Sequence, residues 1–569
     1  MFRAKNNIRV NRKRIYFLFI LFLIAFLSIV YRLVSIQYLN ASKFKSYAEF
    51  QHTGEFVLSS KRGKILDRNG IELAISLIEK TVYADPRFVL DSEYEAGILA
   101  EMLDLDKDEV KEKLDNKDSG FAYIKRKVSL EKAEEIMGYD LPGIYFQDEA
   151  KRYYPQNDIA ASIIGFTGMD NNGLSGIELQ YEKILRGIDG RAVAEKDVFG
   201  NIIPGENNTY IEPVDGKDVV LTIDSQIQYM AQESLEEIVS EFNALRAIAV
   251  VMNPKSGEIY AMANYPGFDL NNYAEFDEEL YKTLGVSYTY EPGSTFKIIN
   301  VASAIESNSV GKDWVFDLPP SIKVGDRVIP EIFRTYNISY TTEEIIKYSS
   351  NVGAVTVALS MGKELFWKSI KDFGFGELTG IELPGEEKGL FYDYKTWPAS
   401  MIGALAIGQG ISVTPLQLLR AACAIANGGY LIDPSIVKEI KLLENGEDDD
   451  IQIEEGNRVL SSETAGALKD MMLSVVEEGT GTKAQIDDVK VCGKTGTAEK
   501  ANRNRAGYDE GRSITSFIGF APYEDPEIAV LIVVDEPQGE DNTVWGGTVA
   551  APVFKEIMDF SLKRLKVYQ

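Results

Sequence analysis

Three different patterns of apolar and polar residues divide the chain into an N-terminal apolar run, a mixed region and a larger C-terminal region. Ile15 to Tyr31 is uncharged and mostly apolar, which is just long enough for a membrane-spanning helix. The apolar pattern continues to Leu39, and no small-x-small cleavage site typical of a signal peptide directly follows it. We therefore predict a retained transmembrane helix over residues 15–39 in preference to a cleaved signal peptide.

Residues 40–215 have the pattern of a domain that mixes α and β structure. Helical periodicity covers residues 91–115 and 129–138, and Asn69-Gly70 predicts a tight turn. Glycines recur through residues 165–187. No pair of nucleophile and base stands out here, so we interpret this region as a structural or docking module.

Residues 216–569, which begin at a change of composition, alternate between strand and helix patterns. Strands are predicted at residues 218–223, 247–252, 258–263, 489–498, 513–521 and 528–534. Helices are predicted to begin at residues 224–225, 294 and 341, and to cover residues 352–361, 416–426 and 549–565. A hairpin precedes the long helical part and three strands follow it. This order predicts a five-stranded, largely antiparallel sheet with helices on both faces, in the α/β (α+β) class.

Charge is distributed unevenly along the chain. The net charge is −27, although residues 1–31 contain basic residues and no acidic ones. The acidic body argues against a nucleic-acid partner. The basic run before the apolar segment predicts a cytoplasmic tail at residues 1–14 and an extracellular body, and thus a single-pass protein of the cell membrane.

The counts of histidine and cysteine exclude several kinds of site. The single histidine, His52, leaves no Ser-His-Asp triad and no histidine-rich metal site, unless His52 reaches a distant core. Cys423 and Cys492 lie in apolar segments and are predicted to be small core residues. The acidic stretch Glu444–Glu455 is interpreted as a solvated loop and not as a metal site. We expect no metal and no cofactor.

Candidate chemistry begins at Ser294 and Lys297, which follow a Pro-Gly turn and open an apolar helix. Their spacing places both on one helix face. A lysine can activate a serine if burial lowers its pKa enough to leave part of it neutral. The alternative is a serine that caps the helix and a lysine whose ammonium reaches solvent. Five other Ser-x-x-Lys matches in the chain indicate that the spacing alone is weak evidence.

Two further clusters offer partners for this pair. Ser349-Ser350-Asn351 interrupts two apolar helical segments, where the alternative is an ordinary helix cap. Lys494-Thr495-Gly496-Thr497 lies on a predicted strand, whose alternation places Lys494 and Gly496 on one face. A glycine there would let a substrate backbone approach closely. A phosphate-binding loop is rejected because it needs a glycine where the chain has Asp488.

In this order the three clusters resemble the motifs of the penicillin-recognising serine acyltransferases. Other segments make nearly the whole chain similar to a class B penicillin-binding protein, and the sequence Gly176-Ile177-Glu178 is more similar to the division and sporulation branch than to the elongation branch. These further segments are Arg62–Gly70, Arg152–Pro155, Gly173–Glu178, Gly479–Thr482 and Gly519–Pro522. The resemblance implies a penicillin-binding transpeptidase fold over residues 216–569, preceded by a pedestal or dimerisation domain. The Arg-Asn pair expected before Tyr290 is missing.

The resemblance also implies the catalytic roles. Ser294 would attack the penultimate D-alanine of a peptidoglycan stem peptide, and Lys297 would take its proton. Ser349 would pass a proton to the leaving D-alanine, and Asn351 would orient Lys297 and the substrate. Lys494 would support Ser349 and the electrostatics of the site.

The remaining implied roles concern substrate and partners. Thr495, Gly496 and Thr497 would bind substrate, and the amides of Ser294 and Thr497 would form the oxyanion hole. β-Lactams would acylate the same serine. The membrane helix and pedestal would bind a polytopic glycan polymerase and other membrane proteins of the division machinery. Alternatives are a carboxypeptidase or β-lactamase, and a scaffold without chemistry.

Overall fold

The computed structural model of the chain describes residues 12–44, 53–196, 202–203, 209–332, 334–441, 449–450, 456–501, 507–539 and 544–567. His52 and most of the acidic stretch Glu444–Glu455 lie outside the described residues. Cys423 and Cys492 are both buried and free, as predicted for core residues.

The helices and strands are numbered in chain order. The helices are α1 (Arg12–Val34), α2 (Ser92–Leu103), α3 (Lys107–Asp115), α4 (Leu130–Met137), α5 (Ala161–Ile164), α6 (Gly176–Gln180), α7 (Glu182–Leu185), α8 (Ser225–Glu241), α9 (Leu284–Ser287), α10 (Lys297–Glu306), α11 (Thr342–Lys347), α12 (Asn351–Met361), α13 (Lys363–Asp372), α14 (Met401–Ala406), α15 (Pro415–Ala426), α16 (Ser462–Glu478) and α17 (Ala550–Arg564). The strands are β1 (Thr53–Leu58), β2 (Ile65–Leu66), β3 (Glu72–Ala84), β4 (Ala122–Val128), β5 (Ile144–Tyr153), β6 (Gly190–Lys196), β7 (Ile202–Ile203), β8 (Thr209–Ile211), β9 (Asp218–Leu221), β10 (Arg246–Met252), β11 (Ile259–Tyr265), β12 (Val315–Leu318), β13 (Ser321–Val324), β14 (Arg327–Pro330), β15 (Ile338–Thr341), β16 (Tyr430–Leu431), β17 (Val437–Lys441), β18 (Asp449–Asp450), β19 (Asn457–Arg458), β20 (Cys492–Ala501), β21 (Tyr508–Ala521) and β22 (Ile528–Asp535).

The chain forms two compact units, and the smaller one combines Met1–Ser60 with Ile188–Val214. Its described part contains α1, a following π-helix and the sheet of β1, β6, β7 and β8. The segment Arg12–Leu39 is long and apolar enough to cross a membrane, and none of its apolar window is buried against the protein. This confirms the predicted apolar helix, while its orientation in a membrane stays a prediction.

The larger unit combines Lys61–Gly187 with Asp215–Gln569 and is built around a five-stranded sheet. The strand order is β11-β10-β22-β21-β20, and every neighbouring pair is antiparallel. Alternate residues of β10 enter two different cores: Ala249 packs with α8 and α17, while Val250 packs with α10 and α15. The predicted sheet with helices on both faces is therefore confirmed.

A second sheet joins strands from both sides of the predicted boundary at residue 215. β9 pairs in parallel with β2 and antiparallel with β17, and β2 continues into β3, β4 and β5. The helix predicted over residues 91–115 is two helices, because Asp104 adopts a left-handed conformation. The side chain of Asp106 then caps the next helix by accepting from two of its amides.

The motifs of the first region form a buried ion cluster. Glu178, which is fully buried, accepts from Arg62 Nε at 2.7 Å and from Arg152 Nε at 2.6 Å. Asp67 is also fully buried and accepts from the backbone and the hydroxyl of Ser225. Arg62 and Asp67 therefore stabilise the fold internally.

Candidate active site

The Pro-Gly turn before Ser294 leads into one turn of 3-10 helix, Gly293–Phe296, and α10 begins at Lys297. The prediction that Ser294 opens the α-helix is therefore wrong by three residues. Gly293 has a φ of +60°, and a Cβ there would lie 2.9 Å from Thr497 O. Neither helical turn has a side-chain cap, so the alternative of a capping Ser294 is also wrong.

Lys297 is completely buried and points at the second cluster. Its Nζ donates to Ser349 O at 2.6 Å, to Asn351 Oδ1 at 2.7 Å and to Ser349 Oγ at 3.3 Å. Burial lowers the pKa of the Lys297 ammonium to about 7, although the negative charge of Glu331 acts in the opposite direction. The alternative of an ammonium that reaches solvent is wrong, because the side chain has no exposed area.

The segment Ser349–Asn351 connects α11 to α12. Ser350 is the helix cap, since its hydroxyl accepts from Gly353 N at 3.0 Å. Ser349 has a φ of +56°, an unfavourable backbone conformation for a residue with a side chain. In this conformation Ser349 and Asn351 both face Lys297, so the cap interpretation holds for the central serine alone.

Lys494 on β20 is completely buried as well. Its Nζ donates to Thr495 O at 3.1 Å and to Thr495 Oγ1 at 3.4 Å. Burial, together with the positive charge of Lys297, holds the pKa of Lys494 well below its usual range. The positive charge of Lys297 therefore favours the neutral form of Lys494. The hydrogen bonds of Lys494 among the described residues go to Thr495 and not to Ser349.

Gly496 on this strand is required by the packing of the protein itself, in addition to the substrate approach predicted for it. A Cβ at Gly496 would lie 2.2 Å from Ser516 Oγ and 2.9 Å from Thr295 Cγ2. Gly496 therefore lets the 3-10 turn that contains Ser294 and Thr295 pack closely against β20. The side chains that line the cleft from this strand are those of Thr495 and Thr497.

Ser294 lies between two open cavities. One, of ≈ 1110 Å³, is also lined by Asn351 and Thr497, and the other, of ≈ 480 Å³, by Ser349 and Thr495. An extended peptide can therefore pass over the serine. No cluster of residues able to hold a metal ion occurs in the described part of the chain. A serine beside a partly neutral lysine can carry out nucleophilic acyl transfer.

Sequence reasoning assigned no role to two contributors to the site. Thr480 Oγ1 is hydrogen-bonded to Thr495 Oγ1 at 2.8 Å, and the motif Gly479–Thr482 was a sequence signal for it. Glu331 holds Ser350 and the amide of Val352. No sequence signal pointed to Glu331, because its contacts are made 19 and 21 residues away.

Comparison with known proteins agrees with this geometry. Residues 247–559 match the penicillin-binding protein transpeptidase domain, and residues 57–221 match the penicillin-binding protein dimerisation domain. Stage V sporulation protein D of Bacillus subtilis is 37% identical over 99% of this chain and 87% of that protein. Peptidoglycan D,D-transpeptidase FtsI of Escherichia coli is 31% identical over 90% of this chain and 84% of that protein.

Solved structures show the same relationship. Penicillin-binding protein 3 of Mycobacterium tuberculosis, complexed with aztreonam, matches with a TM-score of 0.71 and 27% identity, over 90% of this chain and 98% of that one. Penicillin-binding protein 2X of Streptococcus thermophilus matches with a TM-score of 0.73 and 25% identity, over 89% of this chain and 80% of that one. The chain therefore belongs to the penicillin-binding proteins, as a class B peptidoglycan D,D-transpeptidase of the division and sporulation branch.

Proposed function

We propose that Ser294 forms the acyl-enzyme through which this protein cross-links peptidoglycan stem peptides, and that β-lactams inhibit it by acylating the same serine. The observation that carries the proposal is the environment of Lys297. It is fully buried, three residues after Ser294, and held by acceptors from Ser349 and Asn351. Such a lysine is a general base near neutral pH.

Acylation starts when neutral Lys297 takes the proton of Ser294 Oγ, which attacks the carbonyl of the penultimate D-alanine. The amides of Ser294 and Thr497 bind the developing oxyanion. Ser349, within 3.3 Å of Lys297 Nζ, returns the proton to the leaving D-alanine. Its release leaves the donor peptide as an ester on Ser294.

The other residues of the site bind the substrate and tune its charge. Thr495 and Thr497 bind the carboxylate of the terminal D-alanine, and Asn351 orients both Lys297 and the substrate amide. Lys494 supplies the electrostatics behind them, and Gly496 acts through the fit of the nucleophile turn. An amine of a neighbouring stem peptide then attacks the ester and completes the cross-link.

We also propose that the Arg12–Leu39 helix anchors the protein with its N-terminus in the cytoplasm and its catalytic unit outside the cell. The basic residues before this helix support that orientation. Its partners would be a polytopic glycan polymerase and membrane proteins of the division or sporulation machinery. Since Arg62 and Asp67 are buried, these partners would bind other parts of the surface.

Product analysis tests the acceptor. Purified protein is incubated with a pentapeptide-bearing glycan oligomer, with and without an added D-amino acid as acceptor amine. We expect cross-linked dimers and exchange of the terminal D-alanine. Hydrolysis that releases D-alanine without either product would identify a carboxypeptidase. Repeated hydrolysis of the penicillin itself would identify a β-lactamase.

The pH dependence of acylation by penicillin tests the base. Because the Lys297 pKa is lowered from its ordinary value of 10.5 to about 7, the neutral form predominates above pH 7. Below pH 7 we expect the rate to fall about tenfold per pH unit. Lys297→Arg, which cannot lose its proton, should acylate about 10²–10⁴-fold more slowly. A rate that rises only above pH 9 would contradict the assignment.

A further inference from the structure

Glu331 lies directly after β14, and its side chain is only 9% exposed. Its Oε1 accepts from Ser350 Oγ and, at 2.8 Å, from Val352 N, and it pairs with Arg334 Nη2 at 3.2 Å. Arg334 is itself buried and donates to the carbonyls of Leu318 and Pro319. The carboxylate is thus held in place from its own loop and reaches across to another element.

The element it reaches is the start of α12. The first amides of a helix have no partner within the helix, and Glu331 supplies an acceptor for that of Val352. The preceding residue acts on the same turn, since Pro330 O accepts from Asn351 Nδ2 at 3.3 Å. Residues 330–331 therefore hold Ser350 and Asn351 by side-chain and backbone bonds together.

Both neighbours of Ser350 are the acceptors of Lys297. Ser349 reaches Lys297 only because it adopts the left-handed conformation, which surrounding bonds have to maintain. Asn351 can present Oδ1 to Lys297 only while its Nδ2 points the other way, towards Pro330 O. The position of both acceptors thus depends on the loop that contains Glu331.

We propose that Glu331 is a positioning residue for acylation, whose carboxylate holds the Ser349–Asn351 turn against Lys297 Nζ and places a negative charge beside it. This rests on the proposed function, in which Lys297 is the base. No role in the three motifs of the family covers Glu331, and the residue acts through Ser350 and Lys297 without touching the reacting atoms.

The charges around Lys297 set the expected effect. Glu331 favours the protonated form of Lys297, and Arg334 neutralises part of the Glu331 charge. Lys494 on β20, whose own pKa is held well below its usual range, adds little positive charge there. Without the carboxylate charge, the lowering of the Lys297 pKa by burial is therefore opposed less strongly. The pKa of Lys297 should fall, and its neutral form should persist to lower pH.

The test measures the rate of acylation by a fluorescent penicillin from pH 5 to 9 for the full-length protein and for Glu331→Gln. We expect the midpoint of the rising limb to move down by on the order of one pH unit. The matched control is Glu306→Gln. Glu306 also holds a helix-capping serine, Ser461, through its hydroxyl and its amide, but at the far end of α10 from Lys297. Its midpoint should stay at the wild-type value.

A second variant, Glu331→Asp, separates the effect of the negative charge from the effect of side-chain length. It keeps the charge and shortens the side chain, so its plateau rate should fall while its midpoint stays near that of the wild type. The proposal is overturned if Glu331→Gln has the wild-type midpoint, or if Glu331→Asp moves the midpoint as far as Glu331→Gln does. If the wild-type protein is not acylated by the penicillin, the proposed function is refuted instead. Failure of the Glu331 proposal and failure of the proposed function therefore give different results.

Discussion

Replacing Ser294 by alanine is expected to abolish covalent labelling by a fluorescent penicillin. The reason is that Ser294 lines both open cavities and lies three residues before the buried, partly neutral Lys297, on the preceding helical turn. The loss should be on the order of 10⁶-fold in acylation rate, the scale seen when a serine nucleophile is removed. Labelling is read by gel fluorescence after denaturation, which keeps the covalent adduct.

The matched control is Ser360→Ala, because Ser360 also begins a Ser-x-x-Lys sequence. Its hydroxyl is exposed and donates to Thr356 O at 3.0 Å, within α12. This variant should be labelled like the wild type. Equal labelling of Ser294→Ala and the wild type would show that another residue is the nucleophile.

Replacing Glu178 by glutamine is expected to destabilise the larger unit by about 3–5 kcal/mol. Glu178 is fully buried between Arg62 and Arg152, and both guanidiniums donate to it. Arg152 also donates to Ser76 Oγ on β3, so the cluster ties α6 to the neighbouring sheet. A neutral amide would leave two buried cations without their common counter-charge, and cation desolvation is costly. Urea unfolding followed by tryptophan fluorescence measures the change.

The control for this prediction is Glu182→Gln. Glu182 pairs with the same Arg62, at 2.6 Å, but its side chain is 24% exposed. Water can replace part of the hydrogen bonding that the Glu182 carboxylate gives to Arg62. We therefore expect the free energy of unfolding to fall by about 1 kcal/mol. Equal losses in the two variants would show that burial of the Glu178 cluster contributes little. The acylation rate of the folded Glu178→Gln protein should remain near that of the wild type.

The larger unit contains one group of residues for catalysis and another for stability. The segments around Ser294, Ser349 and Lys494 form the candidate active site. The buried ion cluster of Arg62, Arg152 and Glu178 stabilises a different sheet, whose strands are distant in sequence from those segments. The carboxylate of Asp67 likewise holds Ser225 at the start of α8, within the same unit. Changes in the ion cluster should therefore appear first in stability and only later in catalysis.

Local patterns in the sequence determined a large part of the fold. Period-two and helical spacing located the strands of the central sheet and helices such as α12 and α15, because these elements are specified by neighbouring residues. The helix predicted to begin at residue 341 is α11, which Thr341 caps in a capping box with Glu344. Errors occurred where a backbone choice interrupts a continuous pattern, as at Asp104 within residues 91–115 and at the 3-10 turn of Ser294.

The three motifs identified the candidate site, but tertiary packing decided how its parts work. Spacing alone could not choose among six Ser-x-x-Lys serines, nor show that Lys297 is partly neutral near pH 7, because that property depends on burial by residues distant in sequence. The same holds for Gly496, beside which Thr295 and Ser516 leave no room for a Cβ. Glu331 had no sequence signal at all, since an isolated glutamate acquires its role only when the folded chain places it at the start of another helix.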